Sequence, residues 1–69
     1  MLVYTQNSLY HVAANGDHFK ITKVDSRNPH KNGSMGIGQT VTSNTMYVKI
    51  GEPAIFGGAL CTSFVIKVG

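Results

Sequence analysis

Two alternating runs, residues 9–14 and 18–24, flank the pair Asn15-Gly16, and this arrangement constrains the chain more than any other feature. Asn-Gly suits a two-residue type I′ turn, whose central residues both need positive φ. Such a turn fixes the register. Val12 then faces Phe19, Tyr10 faces Ile21, His11 faces Lys20 and Ala13 faces His18. Tyr10, Val12, Phe19 and Ile21 share one face. His11, His18, Lys20 and Thr22 take the other, with Leu9 as the exception. Turn chemistry and hydrophobic pattern lead to the same pairing, and that agreement makes the segment a β-hairpin.

The rest of the chain follows the same grammar. No window carries apolar residues at helical spacing over three turns, and Val, Ile, Thr, Tyr and Phe dominate. Further strand-like runs cover 2–5, 39–42, 45–50 and 61–68. In the last run Phe64, Ile66 and Val68 alternate with Ser63, Val65 and Lys67, and Val65 on the polar side predicts cover on both faces. Met46, Val48 and Ile50 form a second apolar stripe, with Tyr47 and Lys49 opposite. Residues 25–38 are different: one Pro, three Gly and little apolar bulk predict a long basic, mobile loop. Residues 51–60 are irregular, with room for a helical turn after Pro53. The expected fold is therefore all-β: one domain over residues 1–69, built as a five- or six-stranded bent sheet or barrel of SH3-like or OB-like form. First and last strands commonly meet in such a barrel, which would bring Thr5-Gln6-Asn7-Ser8 near Thr62-Ser63.

Size and composition narrow the function. The chain has 69 residues, a formal charge of +3, one Cys and three acids. A single Cys excludes an internal disulfide, and a chain this small lacks room for a large cofactor fold. Domains below about 70 residues build thin cores, so oligomerisation is one way to supply the missing stability. The first residues carry no signal sequence and no run is long enough to span a bilayer, which predicts a cytoplasmic protein with no membrane partner.

Catalytic and cofactor sets are not found. Cys61 with His11 or His18 would be the only nucleophile–base pairing, but Cys61 starts an apolar strand, where a free thiol behaves as a small buried hydrophobe. Asp17 and Asp25 belong to a turn and a strand end, so no carboxylate pair forms. His11 and His18 lack the further ligands that a closed zinc site requires. Gly33-Ser34-Met35-Gly36-Ile37-Gly38 matches neither phosphate-loop nor dinucleotide pattern. No enzyme activity, metal or cofactor is expected.

Two stretches point to binding instead. Arg27, His30 and Lys31 cluster in the long loop, and Lys20 and Lys23 lie on the strand leading into it, which suits an acidic protein or a phosphate backbone. Ile55-Phe56, followed by Gly57-Gly58, forms either an apolar knob for a partner or a plug for the barrel end.

Two short strings add a resemblance. Thr5-Gln6-Asn7-Ser8-Leu9-Tyr10, read T-x-N-S-x-Y, and Thr62-Ser63-Phe64-Val65, read T-S-x-V, resemble strings at the two ends of small β-rich proteins encoded by bacteriophages. The resemblance implies a phage accessory protein that blocks a host enzyme or defence complex. In physical terms the same hydroxyls and amides satisfy backbone groups where strands begin or bend.

The sequence thus favours a non-enzymatic module that occludes a protein partner, a host factor if the chain is phage-encoded. Arg27, His30, Lys31 and Lys20 would steer, and Ile55 and Phe56 would anchor. One alternative is a basic nucleic-acid-binding barrel using the same cations. A second is an oligomeric small-ligand binder, because a barrel this small is filled by its own side chains.

Overall fold

The computed structural model describes residues 1–26 and 35–69. Six antiparallel strands form one curled sheet: β1 (Leu2–Thr5), β2 (Ser8–Asn15), β3 (His18–Ser26), β4 (Thr40–Ser43), β5 (Pro53–Phe56) and β6 (Leu60–Val68). Their order is β4-β3-β2-β1-β6-β5, so the first and last strands are neighbours, as expected. The all-β expectation holds.

The β2–β3 hairpin forms with its turn one residue later. Asn15 pairs with His18, leaving Gly16-Asp17 as the loop. Only Gly16 has positive φ, at 66°, which fits a type II′ turn with Gly first rather than type I′. Val12 therefore faces Ile21 and Tyr10 faces Lys23. Each pairing moves by two residues, and a two-residue shift preserves the faces. Tyr10, Val12 and Ile21 are buried and Phe19 packs against them.

Residues 45–50 are not a strand. They carry isolated bridges only, Tyr47 with Ile55 and Ile50 with Val65. The cause lies at the end of β4. Ser43 Oγ donates to the Thr45 carbonyl at 2.7 Å and accepts from the Thr45 N–H at 3.2 Å, which bends the chain off the ladder. Met46 and Ile50 are exposed and only Val48 leans on the core, so the expected stripe does not form. Residues 53–56, where a helical turn was expected, are strand β5. Pro53 opens it, a strand position that tolerates a missing N–H.

The largest departure from expectation is in β6. Val65 is 1% exposed, whereas Phe64 is 49%, Ile66 46% and Val68 37% exposed. Val65 is covered, in line with the expected cover on both faces, but the cover expected over Phe64, Ile66 and Val68 is missing. Two ladder irregularities explain it. Against β5 the pairing shifts between Pro53↔Phe64 and Ile55↔Cys61. Against β1 it shifts between Tyr4↔Lys67 and Thr5↔Val65, so Ile66 has no partner there. An extra residue at a bulge switches which face the following side chains occupy. Leu60 and Thr62 point in, then Val65, with Phe64 and Ile66 turned out on either side of it.

The sheet curls until its two ends touch. Gly57, in the β5–β6 turn with φ 54°, lies against Ser43 at the end of β4. A Cβ on Gly57 would stand 2.8 Å from Ser43 Oγ and 3.2 Å from Thr45 Oγ1. The core comprises Val3, Tyr10, Val12, Ile21, Met35, Ala54, Phe56, Leu60 and Val65. Met35 belongs to the segment expected to be a loop with little apolar bulk, so the end of that segment is core.

Candidate binding faces

The expected anchor pair divides. Phe56 is fully buried, so it is the plug and not the anchor; Ile55, one residue earlier on the pleat, is 44% exposed. Ile55 is the centre of a cross-strand row, paired with Cys61 on β6 and bridged to Tyr47 on its other side. The neighbouring row is Pro53 with Phe64. Partners in register project to the same side of a sheet. Tyr47, Ile55, Cys61, Pro53 and Phe64 therefore share one outer face, and Ile66 extends it. Phe64 and Ile66 were expected in the core, and their parity change at the two β6 irregularities has no signature in the sequence. Cys61 was expected to be buried but is exposed. Its thiol points to the Thr62 carbonyl at 4.0 Å and makes no hydrogen bond to His11 or His18.

The rim of this face is polar. The Tyr47 hydroxyl lies 3.1 Å from both carboxylate oxygens of Glu52. That hydrogen bond, then partial desolvation, then the Glu52 charge raise the Tyr47 hydroxyl above its ordinary value. Lys49 Nζ stands 3.5 Å from Glu52 Oε2. On β6, the Lys67 ammonium lies 5.3 Å from the ring centre of Tyr4 on β1, a cation–π distance.

The outer side of β2, β3 and β4 is different in kind. His11 opposes Thr22, which opposes Thr40, and Ala13 opposes Lys20, which opposes Thr42. Thr22 Oγ1 and Thr40 Oγ1 are 2.9 Å apart. Lys20 is exposed here, as expected. Arg27, His30 and Lys31 lie outside the described residues.

Lys23 is not part of a surface patch. It is 3% exposed, and its Nζ donates to the Met35 carbonyl at 2.9 Å. None of the chain's three carboxylates pairs with it among the described residues. Parity could have found it, because Lys23 stands two residues beyond inward-facing Ile21. Its main chain continues the ladder, accepting from Gly38 N–H at 2.8 Å and donating to the Gln39 carbonyl at 3.1 Å.

The two polar strings do meet. Asn7 Nδ2 donates to Ser63 Oγ, and Gln6 N–H donates to the Phe64 carbonyl at 3.1 Å. Thr5 Oγ1 donates to the Ser8 carbonyl and accepts from the Ser8 N–H, both at 3.0 Å. Thr62 Oγ1 accepts from the Ala54 N–H at 3.0 Å. Every one of these contacts satisfies a backbone group or a seam side chain, so the cluster is structural.

No group of three or more metal-ligating side chains and no helix able to cross a membrane occurs among the described residues. Comparison with family models, with curated proteins and with solved structures found no match.

Proposed function

We propose that this chain is a non-enzymatic interaction module that binds a protein partner and acts by occlusion. The observation that carries this reading is the outer β5–β6 face. Tyr47, Ile55, Phe64 and Ile66, each between 44% and 49% exposed, lie side by side with no charge among them. Contiguous apolar surface of this kind marks interaction sites more often than scattered exposed residues do. Aromatic anchors surrounded by a polar rim are the usual anatomy of a binding hot spot. Ile55 is the anchor, with Phe64 in place of Phe56. Lys20 and the loop cations Arg27, His30 and Lys31 would steer the encounter. The strings T-x-N-S-x-Y and T-S-x-V extend the proposal to a phage-encoded protein that blocks a host factor in the host cytoplasm.

The test is site-specific photo-crosslinking in cells that express the protein. A photoreactive residue at position 64 or 55 should give protein adducts, and one at position 40 should not. Absence of adducts from positions 64 and 55 would overturn the reading.

A second reading rests on the outer β2–β3–β4 face, where His11, Lys20 and the hydroxyls of Thr22, Thr40 and Thr42 offer donors to phosphate oxygens. It predicts binding of short DNA or RNA whose affinity falls steeply with salt. Salt-independent behaviour with no nucleic-acid shift would remove it.

A further inference from the structure

We propose that Asn15 is a modification site: the tip of the β2–β3 hairpin leaves its side-chain amide open to deamidation by attack of the Gly16 main-chain nitrogen. The site lies apart from both outer faces.

The reaction needs only water. The Gly16 nitrogen gives up its proton to a water-derived base and bonds to Asn15 Cγ. The bond from Cγ to the amide nitrogen breaks, ammonia leaves, and a succinimide ring remains. Water then opens the ring at either carbonyl. Opening at Cγ gives aspartate on the original main chain. Opening at the main-chain carbonyl gives isoaspartate, with the chain routed through the side chain. In both cases an amide and a water become an acid and an ammonia, and no electron is transferred.

A nitrogen that already donates a hydrogen bond must lose it before attack. The chain has five asparagines at which this can be compared. Asn7 precedes Ser8, whose N–H donates to Thr5 Oγ1 at 3.0 Å, and Asn7 Nδ2 itself donates to Ser63 Oγ. Asn44 precedes Thr45, whose N–H donates to Ser43 Oγ at 3.2 Å. Asn28 precedes Pro29, which has no N–H. Asn32 lies outside the described residues. Asn15 differs from all of these. The ladder ends at Asn15↔His18, so Gly16 is outside it, and the Gly16 N–H has no hydrogen-bond partner among the described residues.

The approach is open as well. Asn15 and Gly16 are both exposed. Even a Cβ built on Gly16 would meet nothing within 4 Å. At φ 66° Gly16 holds a conformation that glycine reaches without strain, so the main chain beside the amide can turn at little cost.

The product alters the tip. A neutral amide becomes a carboxylate, which lowers the formal charge by one unit, from +3 to +2. The new charge stands across the closing pair from His18 and two residues from Asp17. Isoaspartate also adds a main-chain atom next to a loop whose length fixes the register. Folded copies therefore acquire charge and a longer turn as they age.

Peptide mapping by mass spectrometry tests this on the full chain, kept folded at neutral pH and, in parallel, unfolded in guanidinium chloride. Trypsin places Asn15 in residues 1–20 and Asn32 and Asn44 in residues 32–49, and fragment ions resolve the asparagines within each peptide. The folded chain should convert at Asn15 to aspartate and isoaspartate peptides of equal mass. Folding should slow conversion at Asn15 by less than about tenfold, and at Asn7 and Asn44 by more, because there a hydrogen bond must break first. Asn15→Gln should abolish the conversion in residues 1–20 with unchanged far-UV circular dichroism. Slowing of Asn15 beyond about tenfold on folding would overturn the proposal. Aspartate without isoaspartate would also overturn it, because the amide would then be hydrolysed directly.

Discussion

Strands β3 and β6 are each nine residues long and each alternates apolar with other residues, yet they use the pattern in opposite ways. In β3 the alternation runs unbroken from Phe19 to Lys23, Ile21 points in and Lys20 points out. Its one irregularity comes near the end, where Val24 stands opposite no residue of β2 and is 46% exposed. In β6 the irregularities fall in the middle. They turn Val65 in and leave Phe64 and Ile66 outside. A bulge near a strand's end displaces one side chain, whereas a bulge at its centre turns over a face. The β3 side consequently presents hydroxyls and a lysine, and the β6 side presents aliphatic and aromatic bulk.

The sharpest way to break this comparison is to truncate an aromatic on each side of the pleat. Phe56→Ala removes a fully buried ring. It should cost about 3–5 kcal/mol, enough to unfold a domain of this size. Phe64→Ala should leave monomer stability within about 0.5 kcal/mol, since surface changes away from special features are nearly neutral. Thermal or urea unfolding at a fixed low concentration reads both. Equal losses would mean that Phe64 is core.

Lys23 sharpens the β3 side. Lys23→Ala removes both a buried stem and the tether to Met35, and should cost about 2–4 kcal/mol by analogy with other large-to-small core changes. Lys23→Met keeps the stem and loses one hydrogen bond, for about 1 kcal/mol. Urea midpoints that rank the two variants in the reverse order would show that packing of the stem is not what holds this lysine in place.

Closure of the sheet depends on Gly57. Gly57→Ala forces a side chain into positive φ and against Ser43, and should cost about 1–3 kcal/mol in unfolding free energy. Gly58→Ala, where nothing lies within 4 Å, is the control and should cost less.

The smallest expected effect is at Tyr47. Its hydroxyl titrates above the ordinary 10.0 because it donates to Glu52. A raised folded value means that this contact stabilises the fold fully below pH 10 and that the contribution is lost as pH climbs through the folded value. Ultraviolet titration of tyrosinate should show a late-titrating group that disappears in Tyr47→Phe and moves earlier in Glu52→Gln. A late group unaffected by Glu52→Gln would assign the shift elsewhere.

Much of the fold was legible because local chemistry and alternation agreed. The hairpin faces, the meeting of β1 with β6 and the Asn7–Ser63 seam follow from that agreement. The turn itself slipped by one residue because Gly16 also serves as the first residue of a type II′ turn. Strand β5 was missed because Pro53 and Gly57-Gly58 look like loop chemistry, while its strand form comes from pairing with the neighbouring β6. Of the binding residues, Ile55 and Lys20 are exposed as their positions suggest. Phe64 and Ile66 were hidden because a bulge is decided by two neighbouring ladders together, and no single strand's sequence records it.

The most direct test of the central claim is a paramagnetic-solvent relaxation measurement by NMR, made at low protein concentration. The account predicts that at low concentration the side chains of Ile55, Phe64 and Ile66 relax as fast as those of Thr22 and Thr40. Protection of Phe64 and Ile66 at every dilution would put them in the core and contradict the exposed outer face.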